Sequence, residues 1–200
     1  MWDDEDDFNE DEFQQEQDRV SNLAIVKKAD ELYELVTALI ETFYMKNKDG
    51  DNLPFEDETE EDLSEYYDED FDEEDIEELD EADVQTFGDH YKTLMLEDVM
   101  IISTKLRGAE AGDLYSLRME NAVIIKTRAV SLLTATFSLK MMGLSNNKYL
   151  QLLRDEIDVF RILFVQWIQT FDKTKDIPDG WGLFYDSNIN YKSFDDDDSD

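Results

Sequence analysis

The sequence predicts an all-α fold, an antiparallel four-helix bundle with a long acidic connection between its first and second helices and acidic segments at both ends. Three observations predict it. Apolar residues recur in alternating steps of three and four along separate stretches of the chain. No alternating period-2 run is long enough to build a sheet. The polar breaks between the apolar stretches are short, with one exception.

The first helix is read from Ile25, Ala29, Leu32, Val36, Leu39 and Phe43, a heptad seam that Tyr33 and Ile40 widen into a bundle face. Ser21 or Asn22 is its expected N-cap, and Asp49-Gly50 its expected stop. The acidic stretch 51–83 follows. Its like-charge density opposes a free helix, although Ile76 and Leu79 offer residues 73–86 a docking edge. The second helix is expected from Asp89 to Leu106, ended by Gly108, with Tyr91, Met95, Val99, Ile102 and Leu106 on one face. Asp113 is the expected cap of the third, which runs to Met142. It carries one stripe of Ala122, Ile125, Ala129, Leu132 and Leu139 and another of Met119, Val123, Val130, Leu133 and Phe137. Two stripes predict the most buried helix, with neighbours on two sides. Ser145-Asn146-Asn147 caps the fourth, whose seam is Leu150, Leu153, Ile157, Phe160, Phe164, Trp167 and Phe171. No repeat of solenoid period is present.

The formal net charge is −35, but it is not spread evenly. Residues 1–18 hold 10 acidic residues, residues 49–83 hold 21 and the last six residues hold 5, with no Lys or Arg in any of the three. The rest carries 17 acids against all 18 bases, so it is nearly neutral. Salt adaptation would instead place Asp and Glu on every exposed helix face. The expected organisation is therefore an acidic N-terminal segment (1–18), a bundle (19–172) with an acidic insertion (49–83), and an aromatic and acidic C-terminal tail (173–200).

Absence of cysteine removes disulfides and thiolate metal sites. The acidic N-terminus is unlike a secretory signal. Lys126, Arg128, Lys140 and Arg161 interrupt the most apolar windows, and a cytoplasmic location is expected. So negative a chain is not expected to contact nucleic acid or an anionic membrane, which want Lys and Arg.

Helical bundles often hold metals through carboxylates at helical spacing. A di-iron bundle needs Glu-x-x-His on two helices. The single histidine, His90, has Phe87 three positions before it. Histidine phosphotransfer bundles carry small residues after the histidine, where this chain has His90-Tyr-Lys-Thr-Leu-Met. A calcium loop aligned on Gly50 puts Met45 at the first ligand and Asn52 at the apolar position, and so fails. Glu31-Leu-Tyr-Glu34 places two carboxylates on one helix face. It resembles the first half of the Mg²⁺ motif of all-α nucleotide pyrophosphatases. The second half is matched only by Glu77-Glu-Leu-Asp80 inside the acidic run, with Glu97, Asp98, Asp155 and Asp158 as substitutes. Asp98 and Lys126 both fall on apolar stripes, so they are expected either to pair with each other or to meet Arg128 and Glu120, or else to sit exposed at a helix edge.

The acidic runs are interleaved with aromatics: Trp2, Phe8 and Phe13 in the first, and Phe55, Tyr66, Tyr67 and Phe71 in the second. Aromatics add apolar anchors to a surface whose carboxylates steer a basic partner. In the C-terminal set, Trp181-Gly-Leu-Phe-Tyr, packing back onto the bundle is the expected role. The function expected is a non-enzymatic interaction module without cofactor, binding a basic protein partner through Phe8, Phe13, Tyr66, Tyr67, Phe71 and the carboxylates around them. The alternatives are a Mg²⁺-dependent pyrophosphatase-like hydrolase using Glu31, Glu34, Glu97 and Asp98, and a structural homo-oligomer built on the heptad seams.

Overall fold

The computed structural model describes residues 10–43 and 81–177, together with residues 181, 183 and 184. Among these residues every regular element is a helix: α1 (Glu10–Ser21), α2 (Ala24–Glu41), α3 (Glu81–Glu110), α4 (Tyr115–Met141) and α5 (Asn147–Ile168). The four long helices close a ring of contacts, in which α2 and α4 each pack on both α3 and α5. The α3–α4 pair is the most extensive, and α1 leans on α2.

The seams read from the sequence are the ones that face inward. Ile25, Ala29, Leu32, Val36, Leu39 and Phe43 are buried, as are Met95, Val99, Ile102 and Leu106, and Leu150, Leu153, Ile157, Phe160, Trp167 and Phe171. Burial of each large aliphatic or aromatic side chain contributes about 1.5–3 kcal/mol, so this core drives the packing. On α4 only one stripe is buried. Ala122, Ile125, Leu132 and Leu139 lie in the core, whereas Val123 and Phe137 of the second stripe are exposed. With neighbours in the ring on only two flanks, α4 keeps an outward side, and the second stripe lies there.

The helix ends differ from the sequence reading in instructive ways. Leu23 occupies the N-cap position of α2 and gives no side-chain cap. The Asn22 amide instead donates to the Asp18 carbonyl at 2.8 Å, closing the end of α1. Helix α3 starts at Glu81, before the expected Asp89, and passes through Gly108 because Ala109 and Glu110 beyond it are buried. Leu114 precedes α4 without a side-chain cap. The cap comes from Asp176, whose Oδ1 accepts from the Ser116 backbone N–H at 3.2 Å and from the Ser116 hydroxyl at 2.6 Å. The Tyr115 N–H donates to the Lys175 carbonyl at 2.7 Å. Asn146 caps α5 as expected, accepting from the Lys148 N–H at 2.9 Å.

Helix α1 occupies the second half of the segment read as an acidic N-terminal appendage. It has no apolar stripe; of its residues only Val20 is buried. Its support is electrostatic and local. Glu10, Asp11 and Glu12 occupy the first turn, where the helix dipole favours anions. Gln14 bonds Asp18 at 3.0 Å and Arg19 bonds Glu16 at 2.6 Å, one turn apart in each case.

At the end of α4, Gly143 has φ of 64°. The Leu144 N–H reaches the Leu139 carbonyl at 3.0 Å and the Gly143 N–H reaches Lys140 at 3.1 Å, a Schellman turn whose flanking leucines are both buried. A Cβ at Gly143 would meet nothing within 4 Å, so the penalty for a side chain there is backbone strain alone. Gly143→Ala is expected to cost about 1 kcal/mol, read as a lower midpoint in urea unfolding. An unchanged midpoint would mean that the turn does not need left-handed backbone.

Candidate functional site

The densest polar cluster gathers at one end of the helices around Glu110, whose side chain is only 5% exposed. Its Oε1 accepts from Trp167 Nε1 of α5 at 2.8 Å and from Arg118 of α4, and its Oε2 accepts from Arg19 of α1 at 3.0 Å. Arg118 in turn stacks over the Phe171 ring at 4.2 Å, and Trp167 meets Phe171 edge to face at 4.7 Å. One carboxylate thus joins α1, α3, α4 and α5. Three donors and little solvent reach it, an arrangement that fastens helices together. Sequence reasoning missed this cluster, although the signal was present. Glu110 continues the stripe of Ile102 and Leu106, and Arg118 continues that of Ala122 and Ile125.

Asp98, midway along α3, is fully buried. Its partner is Arg128, which donates to Oδ1 at 3.0 Å and also pairs with the exposed Glu97 at 3.6 Å. Lys126 is exposed and takes no part in this pairing. Burial pushes the Asp98 carboxyl above its usual range, against the opposing pull of Ser131 and Arg128. Its Oδ2 accepts no hydrogen bond from the protein.

The carboxylates read as metal ligands are dispersed. Glu31 pairs with Lys28, whose ammonium also bonds Glu156 of α5 at 2.7 Å. These three side chains, with Leu35 and Leu152, line a shallow groove between α2 and α5. Lys28 is shifted upward by its bonds to Glu156 and Glu31, so a fixed positive charge sits between the two carboxylates. Glu34 is exposed on α2. Among the described residues no three carboxylate, histidine or cysteine side chains converge on one point. His90 is exposed on α3 and meets Tyr91 edge to face at 5.6 Å.

Of the residues read as partner-binding, Phe13 is described and is 50% exposed on α1. Phe8, Tyr66, Tyr67 and Phe71 lie outside the described residues, as do Glu77 and Asp80. In the C-terminal set, Trp181 and Leu183 project into solvent, 90% and 70% exposed. The expected packing of these two against the helices is therefore not what the structure has. Helix α4 is long and apolar enough to cross a membrane, by length and composition only, with a third of that window buried against its neighbours. Lys126 and Arg128 stand at its middle. No known protein family, curated protein or solved structure matches the chain.

Two outcomes test these clusters. Removing the Glu110 carboxylate strands Arg118 in an apolar surround, so Glu110→Ala is expected to cost about 3–5 kcal/mol in denaturant unfolding. A loss within 1 kcal/mol, as for a surface pair, would remove the cluster from its organising role. For Asp98, whose folded pKa is raised, the penalty of ionisation is absent below the ordinary Asp range and grows as pH rises through the folded value. Asp98→Asn is therefore expected to melt higher than the parent at pH 7, with the difference vanishing as pH falls below that range. A variant that melts lower at neutral pH would show that the Arg128 pairing outweighs burial.

Proposed function

We propose that the protein is a non-enzymatic interaction module: an antiparallel four-helix bundle of α2–α5 that carries acidic-aromatic segments to a basic protein partner. The ring of helix contacts supports the bundle. So do the pairs Asp30–Arg107 at 2.9 Å and Lys92 over Phe43 at 5.8 Å, which match the start of α2 with the end of α3 and the reverse.

The observation that carries the functional reading is α1. It is a helix in which Val20 is buried and Arg19 pairs with Glu110, while its other residues are exposed. Phe13 and the carboxylates of Glu10, Asp11, Glu12, Glu16 and Asp18 are thereby displayed along a fixed rod. In the body beneath, Lys28 pairs with Glu156 at 2.7 Å and Lys175 with Asp113 at 2.8 Å. Anionic attraction toward a cationic partner therefore resides in the segments. Steering of this kind accelerates encounter and is screened by salt beyond about 8–10 Å. The aromatics add desolvated anchors that discriminate among basic surfaces. The segment 53–79 is assigned the same role, with Tyr66, Tyr67 and Phe71 as anchors, and the setting is taken to be the cytoplasm.

The test is affinity capture from a cell extract by the full chain and by a variant lacking residues 1–18 and 53–83, at low and moderate salt. Basic proteins retained by the full chain alone and released by salt are the expected result. Equal captures by both proteins would sink the reading. A Phe13→Ser variant should lose part of the same set while retaining its melting point, because Phe13 is half exposed.

A further inference from the structure

Resting on that reading, we infer that the outward side of α5, with the groove between α2 and α5, docks a basic amphipathic helix of the partner, one of whose arginines seats between Glu31 and Glu156. The side is defined by helical spacing. Leu152, Asp155, Val159, Ile162 and Gln166 recur in steps of 3, 4, 3 and 4, a second heptad seam on α5 turned away from the buried one. All five are exposed, Leu152, Val159 and Ile162 at 44%, 43% and 53%. On the inward seam of the same helix, Leu153 and Phe160 are at 0% and 1%. A seam of this spacing is a helix-pairing face, and among the described residues no helix covers it.

Leu152 joins this seam to the groove, which Lys28, Glu31, Leu35 and Glu156 also line. Lys28 takes one oxygen from each carboxylate, Oε2 of Glu31 at 2.5 Å and Oε2 of Glu156 at 2.7 Å. Among the described residues no donor reaches Oε1 of either. One ammonium against two carboxylates leaves a net negative charge beside the apolar Leu35 and Leu152. The groove holds about 220 Å³, less than the roughly 300 Å³ at which small-molecule pockets begin, so it suits a single long side chain. A guanidinium presents parallel N–H donors that can serve both Oε1 atoms while its aliphatic stem lies on Leu152. A lysine ammonium is a point charge without that fork.

Charge selects the occupant. The chain's own acidic runs, 1–18, 49–83 and the last six residues, contain no Lys or Arg and so bring no cation to the groove. A second copy would set this seam and its net negative groove against their like. A basic amphipathic helix answers both features at once. Its apolar residues at heptad spacing cover Leu152, Val159 and Ile162, and an arginine at the Leu152 end reaches the two carboxylates. Asp155, which accepts from Gln151 at 2.7 Å, places one more acid within the seam. From Leu152 to Gln166 the seam runs about 21 Å, the length of an ordinary helix of three to four turns. The acidic segments then bring the partner in, and the seam fixes its orientation.

Isotope-labelled full chain is to be titrated with a synthetic peptide of about 15 residues, leucines at heptad spacing flanked by arginines. A scrambled peptide of the same composition, without an apolar face, is the control. Expected are saturable amide shifts at Glu31, Leu152, Val159 and Ile162 with the first peptide alone, while both peptides shift the acidic residues of α1. Leu152→Ser combined with Ile162→Ser, both exposed positions, should abolish the α5 shifts at unchanged melting point. Glu31→Lys, which leaves Lys28 its bond to Glu156 and turns the groove's net charge positive, should weaken binding at α5 about tenfold. Shifts confined to α1 in the parent would overturn the docking surface and leave the reading of the acidic segments standing. No shift anywhere with either peptide would count against both. Equal α5 binding by Glu31→Lys, or by a peptide with lysine in place of arginine, would overturn the arginine seat. Signals of α5 that move on dilution of the chain alone would overturn the proposal in favour of a second copy.

Discussion

The fold depends on how one buried anion is neutralised. Glu110 ends α3 at the point where a helix of this length meets the connection to α4, and its side chain has no way to reach water freely. Its demand for donors is met from three other helices by Arg19, Arg118 and Trp167. An apolar seam leaves sliding and rotation cheap, because one leucine contact substitutes for another at small cost. A carboxylate with three assigned donors does not slide. The register of α3 against α4 and α5, and the direction in which α1 departs, follow from satisfying this group. Asp98 and Arg128 add a second fixed point between α3 and α4, two turns or more away along the same interface.

The parts of the fold that were legible in the sequence are those governed by periodicity. Most seam positions in α2, α3 and α5 are legible because spacing of three and four has one interpretation on a helix. Tyr33, expected to widen the α2 face, is nevertheless 40% exposed, and Tyr91 and Phe164 are only partly buried. What escaped was set by the tertiary neighbours. Helix α1 has no apolar pattern to detect, although its acidic first turn was a readable sign. The cap of α4 comes from Asp176, sixty residues away, where no local signal for Ser116 exists. The partner of Asp98 depended on whether Lys126 or Arg128 turned inward, a choice made by two residues' rotation about α4. Two stripes on α4 were read as two buried faces, and the ring of four helices offers only one interior.

The division of charge carries the functional argument further than any single residue does. On α2–α5, Lys28, Arg107, Arg118 and Arg128 each pair with a carboxylate of a neighbouring helix. The acids of α1 have Arg19 alone as a basic residue within the helix, and Arg19 is divided between Glu16 and Glu110. In the proposed reading this asymmetry separates two tasks, persistence of a scaffold and attraction of a partner, onto different parts of one chain. Each can then change without disturbing the other.

The Asp176–Ser116 cap has a consequence for biosynthesis. Synthesis is vectorial, so the amides of the first α4 turn emerge from the ribosome sixty residues before the carboxylate that closes them. Throughout the translation of α4 and α5 that end of the helix can only be solvated. At the other end of the helix, the Gly143 turn and the Asn146 cap are local, and their partners are present as soon as that stretch is made. Closure at Ser116 is among the final events, and it signals that the chain through Asp176 has arrived.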